Sequence, residues 1–336
     1  MNKHPLRLSG DQHADDLFLW LKSNVEVYQQ LLQVRTNAEL QSFLTNYPAF
    51  KFYEVAFSTK PDFSSAHGFF VKNTQSILAV LGLYSLPYCY AGANGARVLV
   101  QSKKILENPK VRLLETAQFV FDVCEPRGFS PGGKGFVSVL KVRLMHAAAR
   151  YYASKSIEDE VPINQEDMIG TFLSFSLLVI RGVRTLGINV SQEMAQSYFS
   201  LWIKIGILMG IDPENIPTSI KQASVTERQI RRREFKKSEA GLQLTQSLIA
   251  FLQSESGQLK GLNPTDIMSV LLGKEVSNIL GLPETSALKT EGLGALLKAR
   301  NFFEMFTQTH FEEIRSSFDQ NLIDANVKPD YAFSFE

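Results

Sequence analysis

Cysteine is scarce: Cys89 and Cys124 are the two that 336 residues carry. That excludes a disulfide framework, and the absence of any CxxC pair excludes a cysteine-built metal site. Two free thiols fit a reducing compartment. A charge excess of one sign is missing too. The net charge is +1, so no global field draws nucleic acid or an anionic membrane toward the chain. Alternating apolar and polar runs are nearly absent, and no Asn-Gly hairpin is flanked by β-branched residues, which argues against a sheet protein. Long hydrophobic runs are lacking as well: none reaches the roughly 18 uninterrupted apolar residues of a membrane span. Residues 76–93 are interrupted by Pro87, 172–180 stop at Arg181, and 201–211 carry Lys204. The opening "MNKHPLRLSGDQHADDLF" has no apolar h-region, so a cytoplasmic location is the expectation. No internal repeat, low-complexity tract or long linker divides the chain.

Helix signals are present throughout. Apolar residues make up 44% and charged residues 21%, enough for a large core. Amphipathic spacing predicts helices over 15–32 and from Asn37 or Glu39 to Thr45. Asn108 followed by Pro109 reads as an N-cap with proline in the first turn, opening a helix to Cys124. The prolines and glycines of "EPRGFSPGGKG" (125–135) make a loop, followed by a helix over about 136–154. Asn164 starts a helix to Leu186, ended by Gly187, and Ser191 starts another to Met209. Further helices are expected over about 222–237, 238–256, 264–280 and 288–319. The tail "NVKPDYAFSFE" (326–336) reads as loosely docked.

One of the five histidines, His146, lies inside "KVRLMHAAARYY" (141–152). Its helix neighbours three and four positions away are Val142, Arg143, Ala149 and Arg150. The face is apolar and low around the imidazole, with a guanidinium on either side. A haem needs such a surface on its proximal side: one neutral imidazole, small neighbours, and cations for two propionates. The other reading is a packed core histidine with solvent-facing arginines, the commoner fate of such a pattern. Zinc is disfavoured, since no second histidine follows at helical spacing. The remaining histidines, His4, His13, His67 and His310, show no partner spacing.

The preceding helix places Arg112, Glu115 and Thr116 on one face at i, i+3 and i+4, amid Leu113, Leu114, Phe119 and Phe121. Locally this reads as an intrahelical ion pair worth a few tenths of a kcal/mol or as a polar triad beside a site. Together the two helices resemble those of the latex-clearing proteins, or rubber oxygenases, and the related MpaB-type oxygenases. The resemblance rests on "RLLET" (112–116), "SPGGKG" (130–135) and "KVRLMHAAAR" (141–150). It continues through "QEDMIGTFLSFS" (165–176), "LGINVSQEM" (186–194) and "LWIKIGILMGI" (201–211), and covers about residues 75–285. It implies an all-α fold with a globin-like core around one haem b. The family's iron ligand falls on His146, its propionate-binding arginines on Arg143 and Arg150, and its distal arginine and threonine on Arg112 and Thr116.

The departures are specific. Rubber-cleaving members carry a lysine beside the distal threonine, where this chain has Glu115, and an acidic residue further upstream, where "YCYAGANGARVL" (88–99) has none. The expectation is one large helical domain spanning 1–336, with helices 11–46 and 288–319 packed on the family-like core. Its expected activity is oxygenation of a hydrophobic or lipid-like small molecule with O₂, using Arg112, Glu115 and Thr116, without nucleic acid or stable membrane insertion. Two alternatives stand: a non-catalytic haem- or gas-binding protein, and a cofactor-free helical interaction protein using "TERQIRRREFKK" (226–237). That segment otherwise reads as a solvated helix face or a lid at the haem edge.

Overall fold

In the computed structural model the helices begin where short polar side chains occupy the first orphan amides. The structure describes residues 4–57, 63–101, 104–255, 263–283, 311–327, 331–333 and 335. Thr36 closes a full capping box with Glu39. The side chains of Asn108, Asn164, Ser191 and Ser219 each accept from the amide three residues on. Each such cap contributes about 1 kcal/mol. Pro109–Cys124, Gln192–Leu208 and Ile220–Glu234 open on such caps, whereas Gly135–Ala153 follows Lys134 without a side-chain cap; all four lie close to their sequence-based spans. Among the described residues the only β pairing is an isolated bridge between Gly92 and Phe235. The fold is all-α.

Three expected helices are broken: Pro264–Ile279 kinks at Gly273, φ 73°, and two others divide for a shared reason. One divides at Asn24 into Gln12–Ser23 and Val25–Gln33, where the Asn24 amide side chain donates back to Trp20 O at 2.8 Å. The other divides at Ser176 into Gln165–Phe175 and Leu177–Thr185, where Ser176 Oγ donates to Phe172 O at 2.7 Å. A short polar side chain that bonds its own backbone competes with the helix ladder. Residues 165–185 are long and apolar enough to cross a membrane by composition alone, but 72% of their most apolar 18-residue window is buried inside the protein. It is a core segment. Pro87 is accommodated rather than disruptive. A wide π turn, Leu81–Ser85, precedes it and joins Ser64–Val80 to Leu86–Tyr90, loosening the ladder where the proline ring would clash.

One continuous apolar cluster extends from Leu17 to Val327. The 125–135 loop is stitched to the start of helix Gly135–Ala153 by Asn37. Its side chain donates to Gly128 O at 2.9 Å and Ser130 O at 2.6 Å, and accepts from Phe136 N at 3.0 Å. That fixes where the helix bearing His146 begins. Of the expected 288–319 helix, residues 288–310 lie outside the described residues; the described helix is Phe311–Asp324.

Candidate active site

The Arg112 helix and the His146 helix pack against each other and share the wall of a cavity of about 400 Å³, within the usual range for small-molecule sites. Its lining includes Arg112, Glu115 and Thr116 from one helix and Val142, Met145, His146 and Ala149 from the other. Phe172, Phe175, Trp202 and Ile205 add apolar surface from the core helices. The stretch 76–93 contributes Leu86, Tyr88, Cys89, Tyr90 and Gly92.

Among the described residues His146 has no ion-pair partner, and its Nδ1 is buried without a hydrogen bond. Burial lowers its pKa to about 4, with the Arg150 and Arg112 charges acting in the same direction. The ring is therefore neutral near pH 7, the form in which imidazole binds a metal. Arg112 Nη1 and Glu115 Oε2 form an ion pair at 3.2 Å. Thr116 Oγ1 donates to Arg112 O at 2.9 Å, anchoring that side chain to its own helix.

Arg143 and Arg150 go elsewhere: neither lines the cavity. Arg143 forms a bidentate pair with Asp11, Nε to Oδ2 at 2.6 Å and Nη2 to Oδ1 at 2.8 Å, and donates to Leu208 O at 3.0 Å. Arg150 Nε pairs with Asp15 at 2.8 Å and its Nη1 donates to Ile163 O at 2.8 Å. The long arginine arms leave the His146 face for carboxylates on the first helix. Arg150 Nη2 is buried and makes no hydrogen bond.

The structure adds residues the sequence reading missed. Helix Ile220–Glu234 has a solvated face, with Arg228, Gln229 and Arg232 exposed, but on its other side Glu227, Ile230, Arg231 and Glu234 line the cavity. Their spacing of three and four was the available signal. Glu227 is held by Arg181 at 3.0 Å and by the Tyr88 hydroxyl. Glu166 and Asp167 line the cavity beside Glu234. Arg7, inserted from the N-terminal segment, meets Glu160 at 2.9 Å, Glu166 at 3.3 Å, Asp167 at 3.2 Å and Glu234 at 3.0 Å. Burial pushes Asp167 up to about 6 against the pull of Arg7. Burial also raises Cys89 to about 11, so that thiol stays protonated in the cavity wall and is a poor nucleophile. Tyr331 and Ala332 of the C-terminal tail line the same cavity.

Outside the cavity, His67 Nδ1 lies 2.8 Å from Cys124 O, and His13 stacks on Phe52 at 5.3 Å. His310 lies outside the described residues. No group of three or more His, Cys, Asp or Glu side chains suited to a bare metal ion occurs among the described residues.

An all-helical protein with a neutral imidazole and an Arg–Glu–Thr face on one apolar cavity is the class defined so far. The family model for the ER-bound oxygenase mpaB/B'/rubber oxygenase catalytic domain matches residues 73–299. The chain belongs to that family. It is 25% identical over 187 residues to the rubber oxygenase of Streptomyces sp. (strain K30), an alignment covering 54% of this chain and 46% of that protein. The chain thus aligns with about half the length of that curated relative. Its fold matches a solved structure of latex clearing protein LCP in the closed state, with a TM-score of 0.71 and 18% identity, over 98% of this chain and 92% of the other.

Proposed function

We propose that this chain is a haem b-dependent oxygenase that uses O₂ to oxidise a hydrophobic small molecule in the cytoplasm. The observation that carries the reading is His146: a neutral, unpaired imidazole on the wall of an apolar cavity that also holds Arg112, Glu115 and Thr116. A single imidazole holds a metal only when other donors complete the coordination, and a tetrapyrrole provides four of them. The low relief of Val142 and Ala149 beside the ring suits a flat ligand. His146 would bind the iron. Arg143 and Arg150, paired with Asp11 and Asp15 away from the cavity, do not stand where the propionates of such a ligand would lie. The group, when bound, supplies the electron-transfer and O₂ chemistry.

The chain's own residues then have distinct tasks. Arg112 presents a permanent cation to negative charge developing in the cavity. Glu115, fixed by Arg112 at 3.2 Å, accepts a proton from an activated C–H of the substrate or passes one inward. Thr116 donates its proton to Arg112 O, so its oxygen is oriented to accept from a water or substrate hydroxyl. The apolar walls exclude water and favour a hydrophobic substrate.

Expression with haem supply tests the reading. The purified protein should show a Soret band and a pyridine haemochrome spectrum of haem b, and His146→Ala should lose both. A protein that stays colourless after incubation with hemin would favour a cofactor-free interaction protein. An unchanged band in His146→Ala would overturn the ligand assignment.

A further inference from the structure

Of the C-terminal tail, the described residues 331–333 and 335 are docked on the helices, where the sequence reads as a loosely docked segment. The Tyr28 hydroxyl holds both backbone groups of Phe333, donating to its carbonyl at 3.0 Å and accepting from its amide at 2.8 Å. The Phe333 and Phe335 rings pack on Tyr28 at 4.6 and 4.9 Å and on Phe18 at 5.7 and 5.6 Å. Aromatic pairs in these geometries add to the area they bury. Two residues before this anchor, Tyr331 adopts a left-handed backbone, φ 51°. A non-glycine residue keeps that conformation only where its surroundings over-determine it.

What the anchor secures is the position of the Tyr331 side chain. It is 7% exposed and, with Ala332, forms part of the cavity wall. Its buried hydroxyl faces Asp122 and Ser138, with the Glu115 and Arg112 charges acting on it more weakly. The tail lies beyond the family match, which ends at residue 299.

We infer that Tyr331 is a specificity-determining residue: the docked tail supplies a rigid aromatic wall that limits the cavity to compact hydrophobic molecules. The inference rests on the proposed reading only in taking this cavity as the substrate site. An aromatic ring has few rotamers, so a pinned tyrosine sets a sharper size limit than a flexible aliphatic side chain would.

Calorimetric titration of the full-length protein with a series from 2-octanone to 2-hexadecanone tests it. While each added methylene is buried, affinity should rise about fourfold per carbon; beyond a limiting length it should rise no further. Tyr331→Ala should extend the rise by about two to four carbons, while Tyr331→Phe should keep the original limit. Tyr28→Phe removes the clamp at a distance from the cavity. It should speed proteolytic cleavage of the tail and extend the limit as well, which covers the case of a poorly folded Tyr331→Ala. The same limit in Tyr331→Ala, Tyr28→Phe and the parent protein would overturn the inference, as would absence of ketone binding to the parent. The haem reading is decided by absorbance in His146→Ala, so the two can fail separately.

Discussion

Asp11 grips Arg143 through both carboxylate oxygens, at 2.6 and 2.8 Å, although 132 residues separate them. The pair ties the first helix to the helix of His146 one turn from the imidazole, and neither residue is more than 7% exposed. Asp11 also accepts from Ala14 N, so one carboxylate caps a helix and neutralises a buried guanidinium.

Asp11→Ala should therefore destabilise the fold by about 3–5 kcal/mol, because it leaves a buried cation uncompensated. Asp11→Leu combined with Arg143→Met should recover most of that loss, since it removes both charges. Urea unfolding midpoints check both. A single-variant loss below about 1 kcal/mol would mean that the buried charge is relieved in another way.

Gly210 ends helix Gln192–Leu208 with φ 94°, and a Cβ there would lie 2.0 Å from Asp11 Oδ2 and 3.0 Å from Arg143 Nε. Gly210→Ala combines left-handed strain of about 1–2 kcal/mol with a collision at the ion pair. The expected destabilisation is at least that large, read from thermal melting. Gly68, at which a Cβ would meet nothing within 4 Å, is the control: Gly68→Ala should not lower the midpoint.

The neutral state of His146 makes stability depend on pH. The unfolded histidine takes up its proton near its ordinary pKa of about 6.5, the folded one only near 4. Between those values the unfolded chain binds more protons, so stability rises with pH. The contribution is complete above the unfolded pKa and lost as pH falls through the folded one. Asp167, pushed up to about 6, has the opposite sign and opposes it over much of that window. Comparison with His146→Gln, both proteins prepared free of haem, isolates the histidine. The parent should gain about 3 kcal/mol on the variant between pH 4 and 6.5. A pH-independent difference would show that the imidazole is not held neutral.

Glu115 separates chemistry from stability. Its i,i+3 ion pair with Arg112 contributes a few tenths of a kcal/mol, so Glu115→Gln should leave the melting midpoint almost unchanged. Haem content should be retained as well. Oxygen uptake with an accepted substrate should nevertheless fall by about 10²-fold or more if this carboxylate moves the proton. Unchanged uptake would remove it from the reaction.

The sequence by itself determined the helices, most of their ends, and the two faces that carry His146 and the Arg112–Glu115–Thr116 set. These features are local: an N-cap acts on an amide three residues away, and a helix face repeats every three or four residues. The destinations of long side chains and of the tail were decided only by the tertiary structure. Arg143 and Arg150 reach Asp11 and Asp15 rather than the cavity. Arg7 gathers carboxylates more than 150 positions away, and Tyr331 joins the cavity because Tyr28, 305 residues distant, holds Phe333. Spacing along one helix cannot reveal which of several available partners a flexible charged arm will meet, because that choice is made when distant elements pack and each buried charge or polar group must find its counterpart.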